Sequence, residues 1–317
     1  MLKRTFYTLL IVMSGVSLQA QQDPQFTQYM FNNLYITPAY AGVEGVTQFT
    51  AFHRSQWLGY ESSFGDGGAP TTQMLSFTAP IYKLKSGFGA YVTNDRLGPQ
   101  NNSELQAMYA YHLGIKDNKL SIGVKLGMYA QTIDFDRYRP TQDPDPLLKQ
   151  SGKDSQIKPD LGLGIFYRSE KYYAGFGINH IIKSEFDFGI DSARNALENH
   201  MNITAGYYYE VNFDLKLTPT ILVKTDFKEY SFDIGLIATL KDKMWAGLSF
   251  RQAEAANVLL GYSFLKDKSL KLGYAIDVVV KDQQAKENFS HEMMLSYQLP
   301  VTAMNRKKVV RTPRYRH

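Results

Sequence analysis

The sequence contains no cysteine, and that absence excludes disulfides, thiolate metal centres and a lipid-modified N-terminal cysteine. It also lacks long hydrophobic runs. A transmembrane helix needs about 20 nearly uninterrupted apolar residues, and only the extreme N-terminus approaches that, so a bundle of membrane helices is excluded. Histidine is sparse: positions 53, 112, 180, 200, 291 and 317 carry it. No His-Glu-x-x-His helix and no histidine pair at ligand spacing occurs, so no metal site is indicated. His112 and His291 fall in expected strands and read as polar groups of a lumen or interface. The serines include no Gly-x-Ser-x-Gly elbow, which leaves a hydrolase without a recognisable nucleophile. No glycine pair opens a helix after a strand, as phosphate-binding loops require. Asp143, Asp145 and Asp154 miss the spacing of a calcium-binding EF-hand.

The formal net charge of +5 is unevenly placed. Lys3 and Arg4 begin an apparent export signal, with an apolar core from Phe6 to Val12 and small residues ending at Ala20. Residues 1–20 are therefore expected to be removed, with cleavage before Gln21. Arg306, Lys307, Lys308, Arg311, Arg314 and Arg316 lie in a tail, residues 301–317, that has no acidic residue. Without these cations the body is slightly acidic, which is not a nucleic-acid footprint.

What the chain does have is period-two alternation, repeated from about Gly42 to Leu299. Leu120, Ile122, Val124, Leu126, Met128 and Ala130 alternate with Ser121, Gly123, Lys125, Gly127, Tyr129 and Gln131. Leu105, Ala107, Tyr109, Tyr111 and Leu113 follow the same rule, as do Leu270, Leu272, Tyr274, Ile276 and Val278. A soluble sandwich would alternate too. Two features favour a membrane. The strands often exceed ten residues, longer than the usual five or six of soluble sheets. The 22 tyrosines and 19 phenylalanines cluster near strand ends, as in interfacial girdles.

Short polar turns near Lys83 to Ser86, Lys116 to Lys119, Ser169 to Lys171, Val211 to Asp214, Lys241 to Lys243 and Lys266 to Ser269 alternate with other links. The long links are Leu58 to Thr71 and Asp136 to Pro159. The reading is an all-β, antiparallel outer-membrane barrel of about 14 strands over residues 42–300, with both termini and the tight turns in the periplasm. The strand glycines, such as Gly87, Gly89, Gly162, Gly164, Gly175 and Gly177, suit an inward-facing wall. Residues 21–41 form a separate segment, periplasmic or in the lumen, whose plainest reading is an ordered lead-in packed under the barrel.

That segment holds the most specific pattern in the chain. It reads Asp23-Pro24-Gln25-Phe26-Thr27-Gln28-Tyr29, then Thr37-Pro38-Ala39-Tyr40-Ala41-Gly42. It resembles the N-terminal signature of the PorP/SprF family, membrane proteins of the type IX secretion system. The second element begins with Thr37 where the family more commonly has Asn. Arg54-Ser55-Gln56-Trp57 resembles the family's Arg-x-x-Trp.

The resemblance implies a non-enzymatic outer-membrane component, without cofactors. Such a component supports export or surface anchoring of cargo with a type IX C-terminal signal domain, and in some members gliding motility. It also implies periplasmic ring or motor-associated partners, with outer-membrane lipids around the barrel. Partner-binding candidates are Asp23, Pro24, Phe26, Gln28, Tyr29, Pro38, Tyr40, Arg54 and Trp57, together with Arg311, Arg314 and Arg316 of the tail. Two other readings remain open: a porin or small-solute channel, whose polar parity would line a lumen, and a barrel hydrolase.

Overall fold

A computed structural model describes residues 23–60, 68–138, 151–188, 195–280 and 287–299. The expected signal segment and the basic tail with Arg311, Arg314 and Arg316 lie outside these residues.

Fourteen antiparallel strands close into a barrel. They are β1 (Gln48–Ser55), β2 (Thr71–Ile81), β3 (Ser86–Leu97), β4 (Gln100–Ile115), β5 (Asn118–Asp134), β6 (Lys153–Arg168) and β7 (Tyr172–Asn179). The second half comprises β8 (His200–Tyr207), β9 (Leu215–Thr225), β10 (Tyr230–Leu240), β11 (Met244–Arg251), β12 (Ala255–Phe264), β13 (Leu270–Val279) and β14 (Phe289–Gln298). Beyond Tyr208, β8 continues as the two-residue pairing of Tyr209–Glu210 with β9. Neighbours in sequence are neighbours in the wall, and β1 pairs with β14 to close it. Closure leaves no strand edge, the condition for crossing hydrocarbon with strands. No helix among the described residues is long and apolar enough to cross a membrane.

The alternating pattern sorts by face as a membrane barrel requires. On β4, Leu105, Tyr109, Tyr111 and Leu113 are exposed, while Gln106, Met108, Ala110 and His112 are buried. On β5, Ile122, Val124, Leu126 and Met128 point outward, with Ser121, Lys125, Tyr129 and Gln131 inside. The outside is thus apolar and the inside polar, the reverse of a soluble core. Phe49, Phe88, Tyr111, Tyr172, Tyr207 and Tyr297 are exposed near one end of the barrel, and Tyr230, Phe250 and Phe289 near the other. These positions fit the two aromatic girdles.

All six short turns read from the sequence lie at one end. The connections at the opposite end are uneven. Gly98–Pro99 alone joins β3 to β4, whereas residues 180–199 join β7 to β8 and carry a small ribbon of Glu185–Phe186 with Asn195–Ala196. The long link expected to reach Pro159 is shorter than that, because β6 begins at Lys153 and pairs with β5 from its first residue. β5 and β6 stay paired from Lys153 to Lys158, so six residues expected in the link extend the wall instead.

Residues 23–47 precede β1 and occupy the lumen. They form two single turns of 3-10 helix, Tyr29–Phe31 and Pro38–Tyr40, around a four-residue helix, α1 (Asn33–Ile36). Asp23 lies at the uneven-loop end, and Gly42 lies beside Ala79, Pro80 and Gly87 near the short turns. The segment therefore runs the length of the interior before the chain turns back into β1.

Candidate functional site: a lumen plug and its polar clasp

The plug fits because the wall gives way to it. A Cβ added at Gly87 would overlap the Ala41 carbonyl, one at Gly123 the Pro38–Ala39 backbone, and one at Gly177 the Ile36 carbonyl. At Gly164 it would overlap the Thr37 hydroxyl. Strand glycines otherwise weaken a sheet; here three of them let one backbone rest on another and the fourth, Gly164, makes room for the Thr37 hydroxyl. Thr37 Oγ1 then donates to the Phe176 carbonyl (2.8 Å), and the Gly42 amide donates to Thr78 Oγ1 (2.7 Å).

Apolar contacts fill the remaining volume. Phe26 packs edge-on against Tyr35 and at a tilt against Phe52, each with ring centroids 5.3 Å away, and Tyr35 packs on Tyr91 at 5.3 Å. Leu34, Met74, Met108 and Met294 complete the cluster. Tyr29 is buried against Leu222 and Ile36, and its hydroxyl shares a hydrogen bond of 2.8 Å with Thr220.

The polar clasp is the more specific element. Glu292 on β14 accepts from two successive plug amides, Thr27 N–H to Oε2 (2.7 Å) and Gln28 N–H to Oε1 (2.9 Å). Thr27 Oγ1 lies 2.7 Å from both Asp277 Oδ1 and Arg54 Nη1. Arg54 Nη1 pairs with Asp277 (2.6 Å) and Glu292 (3.4 Å). Arg54 and Glu292 are register partners across the β1–β14 seam. Alongside, Arg251 pairs with Asp233 (2.7 Å) and donates to the Phe26 carbonyl (3.2 Å). Arg54 and Arg251 are 2% and 1% exposed, so their charges are compensated by Asp277, Glu292 and Asp233, by Glu254 at the edge of the group (3.4 Å from Arg251), and by the plug. Charge-assisted bonds in such surroundings are the strong ones.

A third group holds the plug's leading end. Asp23 pairs with His180 Nε2 (2.9 Å), whose Nδ1 meets Asp160 Oδ1 (3.0 Å). Asp160 also accepts from Gln106 (2.7 Å) and pairs with Lys125 (3.4 Å). Burial alone would lower the His180 pKa, but Asp23 and Asp160 raise it to about 10. Burial would raise Asp23, yet His200 and His180 hold it well below the usual carboxylate range.

The candidates named from the sequence separate clearly. Asp23, Pro24, Phe26, Gln28, Tyr29, Pro38 and Tyr40 all belong to the plug, and Arg54 binds it; their contacts are with the barrel interior, not with an outer surface. Trp57 stands apart, in the loop after β1, where its amide donates to Ser290 Oγ (3.0 Å) and its ring faces Tyr60 at 6.2 Å. Sequence reading missed Asp277, Glu292, Asp233 and Arg251. The available signal was charge on the polar parity of β10, β11, β13 and β14, where solvent-facing alternation alone would not need it. His180, His200 and Asp23 also converge, although no spacing motif joins them.

Below the plug, a cavity of about 700 Å³ opens toward the short turns. Its lining includes Tyr40, Glu44, Arg168, Lys271 and Trp245. Trp245 packs on Phe31 with centroids 5.3 Å apart, and Glu44 pairs with Arg168 across the opening.

An apolar belt, a closed strand ladder and a polar interior filled by the chain's own segment define an outer-membrane β-barrel. The chain belongs to the family described as type IX secretion system membrane protein PorP/SprF, whose profile matches residues 18–297. No curated protein matches the sequence. Among solved structures, a TodX monoaromatic hydrocarbon channel mutant is similar at 12% identity and TM-score 0.50, covering 84% of this chain and 93% of that one. The Pseudomonas putida toluene transporter TodX gives 13% identity and TM-score 0.49, covering 84% and 92%. The Acinetobacter baumannii outer membrane protein Omp33 gives 8% identity and TM-score 0.43, covering 80% and 99%. At these identities the likeness is one of fold.

Proposed function

We propose that this barrel is a closed docking component of the type IX secretion system, supporting export or surface anchoring of cargo rather than passing solutes. The observation that carries this reading is the plug: the family's signature segment is spent inside the barrel, tied by Glu292, Arg54 and Arg251. A pore would gain nothing from burying its most specific sequence across its own lumen. With the tight turns in the periplasm, the vestibule and short-turn rim face periplasmic machine components, and the uneven loops face secreted cargo. Recognition residues commonly sit on such loops over a rigid scaffold. The basic tail, with Arg311, Arg314 and Arg316, would leave on the periplasmic side and suits bidentate contacts with an acidic patch.

The test combines co-purification with secretion. Tagged protein from outer membranes is expected to bring periplasmic type IX components, and deletion is expected to leave cargo precursors in the periplasm or strip one cargo from the surface. Truncation after Ala303 should leave insertion normal and lose the periplasmic partners. Unchanged secretion with impaired uptake of small solutes would replace this reading with the channel.

A further inference from the structure

We propose that Asp23, His180 and His200 form a binding site for one divalent first-row transition-metal ion, which fastens the leading end of the plug to the barrel wall.

The three side chains come from segments remote in sequence, and each offers one ligand atom, all within 4.8 Å of one another. Asp23 Oδ1 lies 2.9 Å from His180 Nε2 and 3.5 Å from His200 Nδ1. Donor atoms around a tetrahedral zinc ion with bonds of about 2.0–2.1 Å stand about 3.3 Å apart. The two observed separations bracket that edge. Two imidazoles and a carboxylate, without thiolate, suit zinc and its neighbours rather than calcium or magnesium.

The mounting is rigid. His200 opens β8 and pairs in register with Asn179, the last residue of β7, and His180 follows directly. At His180 the backbone takes a left-handed φ of 58°, which leaves the strand direction and brings the two rings to 5.7 Å at 83°. Behind the site, Asp160 engages His180 Nδ1 and is itself fixed by Gln106 and Lys125. A carboxylate behind a histidine is the usual support of a metal-ligating imidazole, since it sets the tautomer and frees Nε2 for the ion.

The independent observation is His200. It is 6% exposed, and neither of its ring nitrogens has a hydrogen-bond partner among the described residues. A buried imidazole with neither nitrogen hydrogen-bonded is costly, and the 3.5 Å approach of its Nδ1 to Asp23 is an ion pair only when the ring is protonated. An ion between the three satisfies His200 while replacing the proton between Asp23 and His180. Beside Asp23 and His200 is a cavity of about 20 Å³, room for one water as a fourth ligand. Lys224 also lines this cavity and opposes a cation, but Asp226 and Glu229 lie on the same wall.

The experiment uses full-length mature protein refolded or extracted in detergent and stripped with a chelator. Zinc chloride titrated by calorimetry should bind one ion per chain. Cobalt substituted for zinc should give the visible bands of a four- or five-coordinate nitrogen and oxygen site. His200→Gln and Asp23→Asn should each weaken zinc at least tenfold, with heat-modifiable migration on gels unchanged, while His53→Gln on an exposed site should bind as the wild type does. Zinc should also slow amide exchange of residues 23–30. Absence of stoichiometric zinc uptake by the wild type, or uptake that survives both variants, would overturn the proposal. Should a variant fail to insert, the wild-type cobalt spectrum decides alone: an octahedral, all-oxygen spectrum refutes the site.

Discussion

Replacing Arg54 by methionine keeps the length of the side chain and removes its charge. In the intact protein Arg54 Nη1 sits 2.6 Å from Asp277, 3.4 Å from Glu292 and 2.7 Å from the Thr27 hydroxyl, and all four groups are buried. The substitution takes from Asp277 and Glu292 the cation that touches both, and removing one partner of a buried pair costs about 3–5 kcal/mol. The strand ladders do not depend on Arg54, so the loss falls on the one element that can leave, the plug. A bias of about 3 kcal/mol shifts the equilibrium between docked and released plug more than a hundredfold, at about 1.4 kcal/mol per decade. The assay is conductance in planar bilayers together with limited proteolysis of residues 23–42. The wild type should be closed and protected; Arg54→Met should show frequent openings and cleavage within the plug. Adding Asp277→Asn removes one stranded charge and should recover part of the closure. If Arg54→Met stays as closed and as protected as the wild type, the clasp does not hold the plug and the reasoning fails.

Gly123→Leu forces a side chain into the Pro38–Ala39 backbone and should weaken plug docking by about 1–3 kcal/mol. Bilayer conductance should rise with it, whereas Gly114→Leu, which meets open space, should change nothing. Leu126→Arg places a charge on the lipid face midway along β5, where it should cost about 2–4 kcal/mol of insertion in urea-dependent vesicle folding without loosening the plug. The Glu44–Arg168 pair gives a pH response. Burial would raise the Glu44 pKa, but Arg168 and the Tyr40 hydroxyl hold it below its ordinary value of 4.5. A carboxylate depressed in the folded state contributes stability above its unfolded pKa and loses it as pH falls through the folded one. The lower plug should therefore loosen below about pH 4.5, read by the fluorescence of Trp245 in the same vestibule, and Glu44→Gln should abolish that step.

The wall was largely legible. Alternation marked its faces, and turn chemistry between Lys116 and Lys119 or Ser169 and Lys171 marked one end, because strand geometry is written locally. The plug was less so. A segment rich in Phe, Tyr and amides looks like a recognition surface, and a barrel interior is itself such a surface, so composition could not say whether Phe26 and Tyr29 meet another protein or the chain's own strands. The glycines on the inward parity marked an inward-facing wall, yet Gly123 and Gly177 do not reveal what lies against them. The histidine cluster was invisible for a stronger reason. His180, His200 and Asp23 meet only because β7 pairs with β8 and the plug runs past both, a relation that no spacing in one dimension encodes.

The place where the plug is tied has a bearing on how the molecule is made. Arg54 and Glu292 sit opposite each other on the first and last strands, and Thr27 and Gln28 bind there across sequence separations of 265 and 264 residues. Once the strand ladder is closed, a segment carrying Phe26, Tyr29 and Tyr35 can enter only through a barrel mouth, whereas before β1 meets β14 it can settle sideways against the open wall. A segment already inside when the seam zips offers its two amides to Glu292 and helps draw β14 onto β1. Biogenesis thus has a favoured order, in which the plug segment waits for the last strand to arrive, and a chain with a damaged clasp would close its seam more slowly on the way to the inserted barrel.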